Sequence, residues 1–117
     1  MSQKAVSLDA MWDHIESLAA QHAVKIDTRV DQPADAWAHA VARVICITPL
    51  NSVIGYATAL HELGHVVLEH IDPHPNRELE MQWEQAAWEW ARSNAMVWTP
   101  AMECCAVQSL ARIAGEG

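Results

Sequence analysis

The sequence predicts an α+β fold in which helices outnumber strands. Four stretches carry apolar residues at helical spacing, and short segments rich in Val and Ile lie between the first and second of them. Slightly over half of the residues are hydrophobic, which is enough for a compact core. The length of 117 residues fits one domain, so we expect a single domain over residues 1–117.

The first half of the chain is predicted to hold one helix and the strands. The helix begins near Ser7 and runs to about His22, and His14 falls on its polar side, which predicts a surface position. Residues 24–30 alternate between apolar and polar side chains, as in a strand. Residues 43–48 form the clearest strand, because a β-branched run ends at a proline. Residues 37–42 fit either a short strand or a helical turn.

The second half of the chain is predicted to be helical. Asn51 or Ser52 can cap a long helix that runs to about His70. Residues 72–76 contain two prolines and form a loop. A further helix follows from Arg77 to about Trp98, and Thr99-Pro100 begins a last helix that reaches about Ile113.

Charge and cysteine content narrow the class of protein. With 15 acidic and 7 basic residues, the net charge of −8 argues against nucleic acid and anionic membranes as partners. The three cysteines, Cys46, Cys104 and Cys105, are odd in number and lack metal-ribbon spacing, so we expect reduced thiols. Residues 1–13 contain no apolar targeting segment. These observations predict a cytoplasmic protein.

The segment His61-Glu62-Leu63-Gly64-His65 is an HExxH motif in the second predicted helix. A helix turns about 100° per residue, so His61 and His65 lie on one face and can reach the same metal ion. Glu62 projects from an adjoining strip, where it can take a proton from a water molecule at the metal. The apolar residues around the motif make two unpartnered histidines costly, and a metal ion would supply the partner.

Several residues downstream of the motif are candidates for a third ligand. His70 points about 140° away from His65 on a continuing helix, so we expect it to lie outside the site. An extended metzincin motif would need Gly and His where this chain has Leu68 and Ile71. His74 lies in the following loop between two prolines, which favours an ordinary turn.

Glu84 is the better candidate for the third ligand. If the helix after the loop packs antiparallel to the motif helix, residue 83 or 84 comes level with His65, and small alanines permit close approach. Glu80 comes about one turn too early and Glu89 more than one turn too late. A carboxylate beside an apolar packing face is unusual unless it is paired or bound to metal.

Two segments resemble the gluzincin metallopeptidases, most closely the small ImmA/IrrE-like and minigluzincin proteins of bacteria and phages. The first segment is residues 56–65, and the second is residues 84–91, which resembles the family pattern Glu-x-x-Ala-Asn/Asp-x-aromatic-Ala. The strand before the motif helix is also similar, so the resemblance covers about residues 43–100. Trp88 stands where the family has Asn or Asp, which usually supports a ligand histidine.

This resemblance implies a zincin-like domain in which His61, His65 and Glu84 bind Zn²⁺ and Glu62 is the catalytic base. The expected activity is hydrolysis of a peptide or protein substrate. If strand 44–48 forms the sheet edge over the cleft, it would bind an extended substrate by strand addition.

The sequence is also compatible with two other functions. Because of Trp88, the chain can instead be a zinc-bound regulatory or interaction module with negligible turnover, and the third alternative is a helical structural protein without metal. His39 can stabilise an oxyanion or be an ordinary polar strand residue, and Tyr56 is expected to serve in packing.

Overall fold

The computed structural model describes residues 6–71 and 76–115. Within these ranges the chain forms four helices and a three-stranded sheet, which confirms the predicted α+β class. The elements are α1 (Leu8–Gln21), β1 (Lys25–Asp27), a short 3-10 turn (Pro33–Asp35), β2 (Trp37–His39), β3 (Val44–Cys46), α2 (Val53–Val67), α3 (Arg77–Asn94) and α4 (Pro100–Gly115).

The sheet has the order β1-β3-β2, with β1 parallel and β2 antiparallel to β3. Ile45 at the centre of β3 pairs with Ile26 on one side and Ala38 on the other. The condition that strand 44–48 forms the sheet edge is therefore not met, since β3 is central and β2 occupies the edge beside the motif helix. The uninterrupted apolar run in β3 is typical of a strand buried on both faces.

Two strands are shorter than predicted, and residues 37–42 contribute a strand only over Trp37–His39. In the first strand, Asp27 accepts hydrogen bonds from the backbone N–H and the guanidinium of Arg29, at 3.0 and 2.8 Å. Such local bonds give the backbone an alternative to the sheet ladder, so β1 ends at Asp27.

Helix α2 lies at the centre of the molecule and contacts α1, α3, α4, β2 and β3. Its start agrees with the prediction, because the Ser52 hydroxyl accepts a hydrogen bond from the Gly55 N–H at 3.0 Å. Leu60, Leu63 and Val66 have no exposed surface. A helix apolar on nearly all sides is typical of a buried element, and here it carries the HExxH motif through the core.

A hydrogen bond between His14 of α1 and Tyr56 of α2 connects the two helices. Tyr56 is buried, as predicted, and its hydroxyl lies 2.7 Å from His14 Nδ1 and accepts the Met96 N–H at 2.9 Å. The expectation of a surface position for His14 is wrong, because this contact leaves it half-buried. Burial lowers the pKa of His14.

Helix α2 ends at Val67, about one turn earlier than predicted. Glu69 adopts a left-handed conformation with φ of 60°, the His70 N–H donates to the His65 carbonyl at 2.9 Å, and the Glu69 N–H donates to Val66 at 3.0 Å. This pair of bonds is a Schellman motif, which normally has Gly where Glu69 stands. It turns His70 back over the last turn of the helix.

The C-terminal helices follow the predicted order with different bounds. Asn76 caps α3, which ends at Asn94 instead of about Trp98, and the Trp98 indole donates to Glu103 at 2.8 Å. The Thr99 hydroxyl caps α4 by accepting the Met102 N–H at 3.2 Å. Residues 72–75, which include His74 and most of the predicted loop, lie outside the described residues.

The structure also bears on the expectations about membrane-spanning segments and about the cysteines. None of the helices in the described part of the chain combines the length and hydropathy that crossing a bilayer requires. The three cysteines are free thiols, with Cys46 buried, Cys105 partly buried and Cys104 exposed. Burial raises the pKa of Cys105.

Candidate metal centre

The two motif histidines project from the same side of α2, as the spacing predicts. Their Nε2 atoms lie 3.1 Å apart, and the two rings meet edge to face. Both side chains are largely buried, with 10% of His61 and 15% of His65 exposed. Because they lie one turn apart on a helix embedded in the core, their Cα positions are fixed by the packing of α2.

Glu84 reaches the same point from α3. Its Oε1 atom lies 3.0 Å from His61 Nε2, and its Oε2 atom lies 2.7 Å from His65 Nε2. One ligand atom from each of the three residues falls within 4.8 Å of the others. The structure therefore brings together the three residues that the sequence predicted as ligands, and this group can hold a metal ion.

The close approach of α2 and α3 depends on Gly64, which lies between the two histidines. A Cβ atom at this position would come within 2.9 Å of the Ala87 carbonyl oxygen and 3.2 Å of the Ala87 Cα. Real Cβ atoms do not approach backbone this closely, so any larger residue would push the helices apart. The separation of the helices in turn sets the distance from Glu84 to the histidines.

The electrostatics of the group favour a cation. Burial alone would raise the pKa of Glu84, but hydrogen bonds and positive charge from His61 and His65 hold it well below its usual range. Burial would lower the pKa of His61, but Glu62 and Glu84 raise it to about 9. The two carboxylates thus create a potential that binds a proton strongly, and a divalent ion can take the place of that proton.

His65 has an outer contact that the sequence did not predict. Its Nδ1 atom lies 2.9 Å from Nδ1 of His70, whose ring stacks on Trp83 at a centroid distance of 5.0 Å. Burial and the neighbouring histidines lower the pKa of His70 to about 4, so it is neutral and can accept the Nδ1–H of His65. His70 is absent from the three-residue ligand group, as expected, but it contacts that group directly.

His61 has a different environment on its outer side. The Trp88 ring stacks on the imidazole with a centroid distance of 4.3 Å, and Glu62 Oε2 lies 3.4 Å from Nδ1. Trp88 thus covers one face of the His61 ring. Glu62 stands outside the group of three, so it is available for a different role.

A cavity of about 390 Å³ opens onto the three residues. Ala36, Trp37 and Ala38 form one wall, so the edge strand β2 lines it. Glu62, His70, Glu80 and Trp83 also line it. Trp83 therefore borders the cavity and stacks on His70 within it.

His39 and Glu89 lie away from this cavity. The His39 ring accepts the Ala42 N–H at 3.1 Å and borders a separate small cavity, so the structure does not bring it to the candidate site. Glu89 is 68% exposed and pairs with Arg92 at 2.7 Å.

The donor set suits zinc, which takes imidazole nitrogen and carboxylate oxygen and keeps a coordination position open in catalytic sites. The nitrogen and oxygen atoms of His61, His65 and Glu84 lie beside an open cavity, so the group fits both requirements. No protein-family model, curated protein or solved structure matches the chain.

Proposed function

We propose that this protein is a zinc-dependent metallopeptidase of the gluzincin type. The observation that carries the proposal is the convergence of His61, His65 and Glu84 on one point that opens to a cavity, with Glu62 of the same motif lining that cavity. In this proposal His61, His65 and Glu84 bind Zn²⁺, and Glu62 is the general base.

A zinc ion would lower the pKa of a water molecule toward about 7 and polarise a substrate carbonyl. Glu62 accepts the proton as the water attacks and delivers it to the leaving amine. His70 accepts a hydrogen bond from His65 and holds that imidazole with its Nε2 atom toward the metal position.

The substrate in this proposal is an extended peptide segment. The edge strand β2 borders the cavity through Trp37 and Ala38, and among the described residues it pairs only with β3. The other side of β2 can pair with a peptide main chain, which requires little sequence specificity. This assignment moves the predicted strand addition from residues 44–48 to Trp37–His39.

The alternative is a zinc-bound regulatory module, and the position of Glu62 is the observation that favours it. Glu62 Oε2 lies 3.4 Å from His61 Nδ1, where a carboxylate can orient a ligand histidine instead of a water molecule. In that case Glu62 serves metal binding, and turnover is negligible.

The variant Glu62→Gln separates the two functions. For a peptidase, zinc content stays near one ion per chain while hydrolysis of casein or a peptide library falls about 100-fold or more. Glu16→Gln on the exposed face of α1 is the matched control and should leave zinc content and hydrolysis unchanged. A wild-type protein that binds zinc and cleaves nothing would favour the module. Protein without zinc after expression and purification with the metal would contradict both functions.

A further inference from the structure

A second cavity, of about 270 Å³, also reaches His61 and Glu62. Its apolar walls come from the 3-10 turn and from α2, and include Pro33, Ala34 and Ile54. Because the same histidine and glutamate line both cavities, a group bound in the second cavity would lie beside the proposed reaction centre.

One face of α4 adds hydrogen-bond donors to this cavity. Cys105, Ser109 and Arg112 are spaced by four and three residues, so they lie on the same side of the helix, and all three line the cavity. Arg112 has no ion-pair partner within residues 6–71 and 76–115. By contrast, Arg92 pairs with Glu89 and Glu103, and Arg29 pairs with Asp27.

Trp88 supplies an independent observation. Its side chain lines the same cavity and is only 3% exposed, and its Nε1–H has no hydrogen-bond partner in the described part of the chain. A buried donor without a partner is disfavoured, and most such groups in proteins find an acceptor. An oxygen atom of a bound ligand would provide one.

We infer that this cavity binds a carboxylate of the substrate, so that the preferred peptides carry an acidic side chain or a free C-terminal carboxylate next to the cleaved bond. The inference rests on the proposed peptidase function. A carboxylate only accepts hydrogen bonds, which matches the donors of Arg112, Ser109 and Trp88. The negative charges of Glu62 and Glu84 would be balanced by the divalent ion, which leaves the positive charge of Arg112 uncompensated.

The test uses peptide hydroxamates, which bind zinc without being hydrolysed, and measures their affinity by calorimetry. One pair of ligands differs as Asp against Asn beside the hydroxamate, and a second pair differs as a free C-terminal acid against its amide. One acid should bind roughly 3- to 10-fold more tightly than its amide counterpart to the wild-type protein. Arg112→Gln should abolish this difference, and Lys25→Gln on β1 should retain it as a charge-matched control.

The two pairs identify the source of the carboxylate, as a side chain or as a chain terminus. Hydroxamate binding without any preference for an acid would overturn this inference and leave the peptidase proposal standing. A preference that survives in Arg112→Gln would also overturn it. A zinc-loaded protein that binds no hydroxamate would contradict both proposals. Hydroxamate binding with an acid preference but without peptide hydrolysis would contradict the peptidase and keep only the carboxylate site in this cavity.

Discussion

The packing of α3 on α2 at Gly64 can be tested with a single methyl group. In Gly64→Ala, the new Cβ would stand 2.9 Å from the Ala87 carbonyl oxygen, where ordinary contacts begin at 3.4 Å. The neighbouring backbone must therefore retreat by about 0.5 Å, and this shift carries Glu84 away from the two histidines. The variant should lose both stability and zinc affinity.

Gly55→Ala is the matched control, because its Cβ would meet only Ser52 Oγ and Leu50 Cδ2 at ordinary distances of 3.5 and 3.6 Å. Both substitutions gain the same helix propensity of about 1 kcal/mol, so the difference between them isolates the clash. Overpacking costs about 1–3 kcal/mol, and about 2.1 cal/mol/K of unfolding entropy per residue converts this to roughly 4–12 °C.

Thermal unfolding of both variants, with and without a strong chelator, measures these effects. The melting temperature of Gly64→Ala should lie below that of Gly55→Ala under both conditions, and its zinc affinity in a chelator competition should be lower. If the two variants melt together and bind zinc equally, α2 and α3 do not meet at Gly64 and the proposed position of Glu84 is incorrect.

Three further predictions concern the ligand group. Glu84→Ala should strip most zinc from the protein because it removes a proposed ligand, whereas Glu89→Ala should retain it, as measured by metal analysis after dialysis. The opposite result would make Glu89, more than one turn further along α3, the third ligand. His70→Ala should weaken zinc binding about 10- to 100-fold. His70→Asn should restore part of the affinity, because its amide oxygen can accept the hydrogen bond from His65. Equal zinc affinity in the wild type and both variants would show that His70 does not support the metal site. Zinc must displace the proton of His61, whose pKa is raised to about 9, so affinity should rise about tenfold per pH unit from about 6.5 to 9 and level off above. A flat profile over that range in a chelator competition would show that His61 carries no proton to displace.

The grouping of His61, His65 and Glu84 could be predicted from the sequence because it depends on regular geometry. His61 and His65 are one helical turn apart, and an antiparallel return after a short loop places Glu84 beside them. Strand 44–48 was considered as a possible sheet edge, whereas its continuous apolar run favours the centre of a sheet, where the structure places it. The alternative edge, residues 37–42, carried too weak a pattern to be assigned.

The contact of His70 with His65 could not be predicted from helical spacing. That reasoning assumed a helix continuing past residue 68, but the helix ends at Val67 and the chain reverses at Glu69. A Gly at this position would have signalled the reversal, and Glu gives no such signal. Helical spacing also could not predict the partial burial of His14, because its partner Tyr56 lies 42 residues away in the sequence.

The outer contacts of the two histidines bear on whether the site can turn over a substrate. Trp88 covers one face of His61, and its indole has no hydrogen-bond acceptor to offer the imidazole. Glu62 is the carboxylate near the Nδ1 atom that needs an acceptor, at 3.4 Å. A carboxylate has two oxygen atoms, so one can accept this hydrogen bond while the other takes a proton from water. If Glu62 has both roles, Glu62→Gln should keep zinc through its amide oxygen and lose hydrolysis, whereas Glu62→Ala should lose both hydrolysis and part of the zinc affinity. The difference in zinc affinity between these two variants therefore measures the orienting role separately from the chemical one.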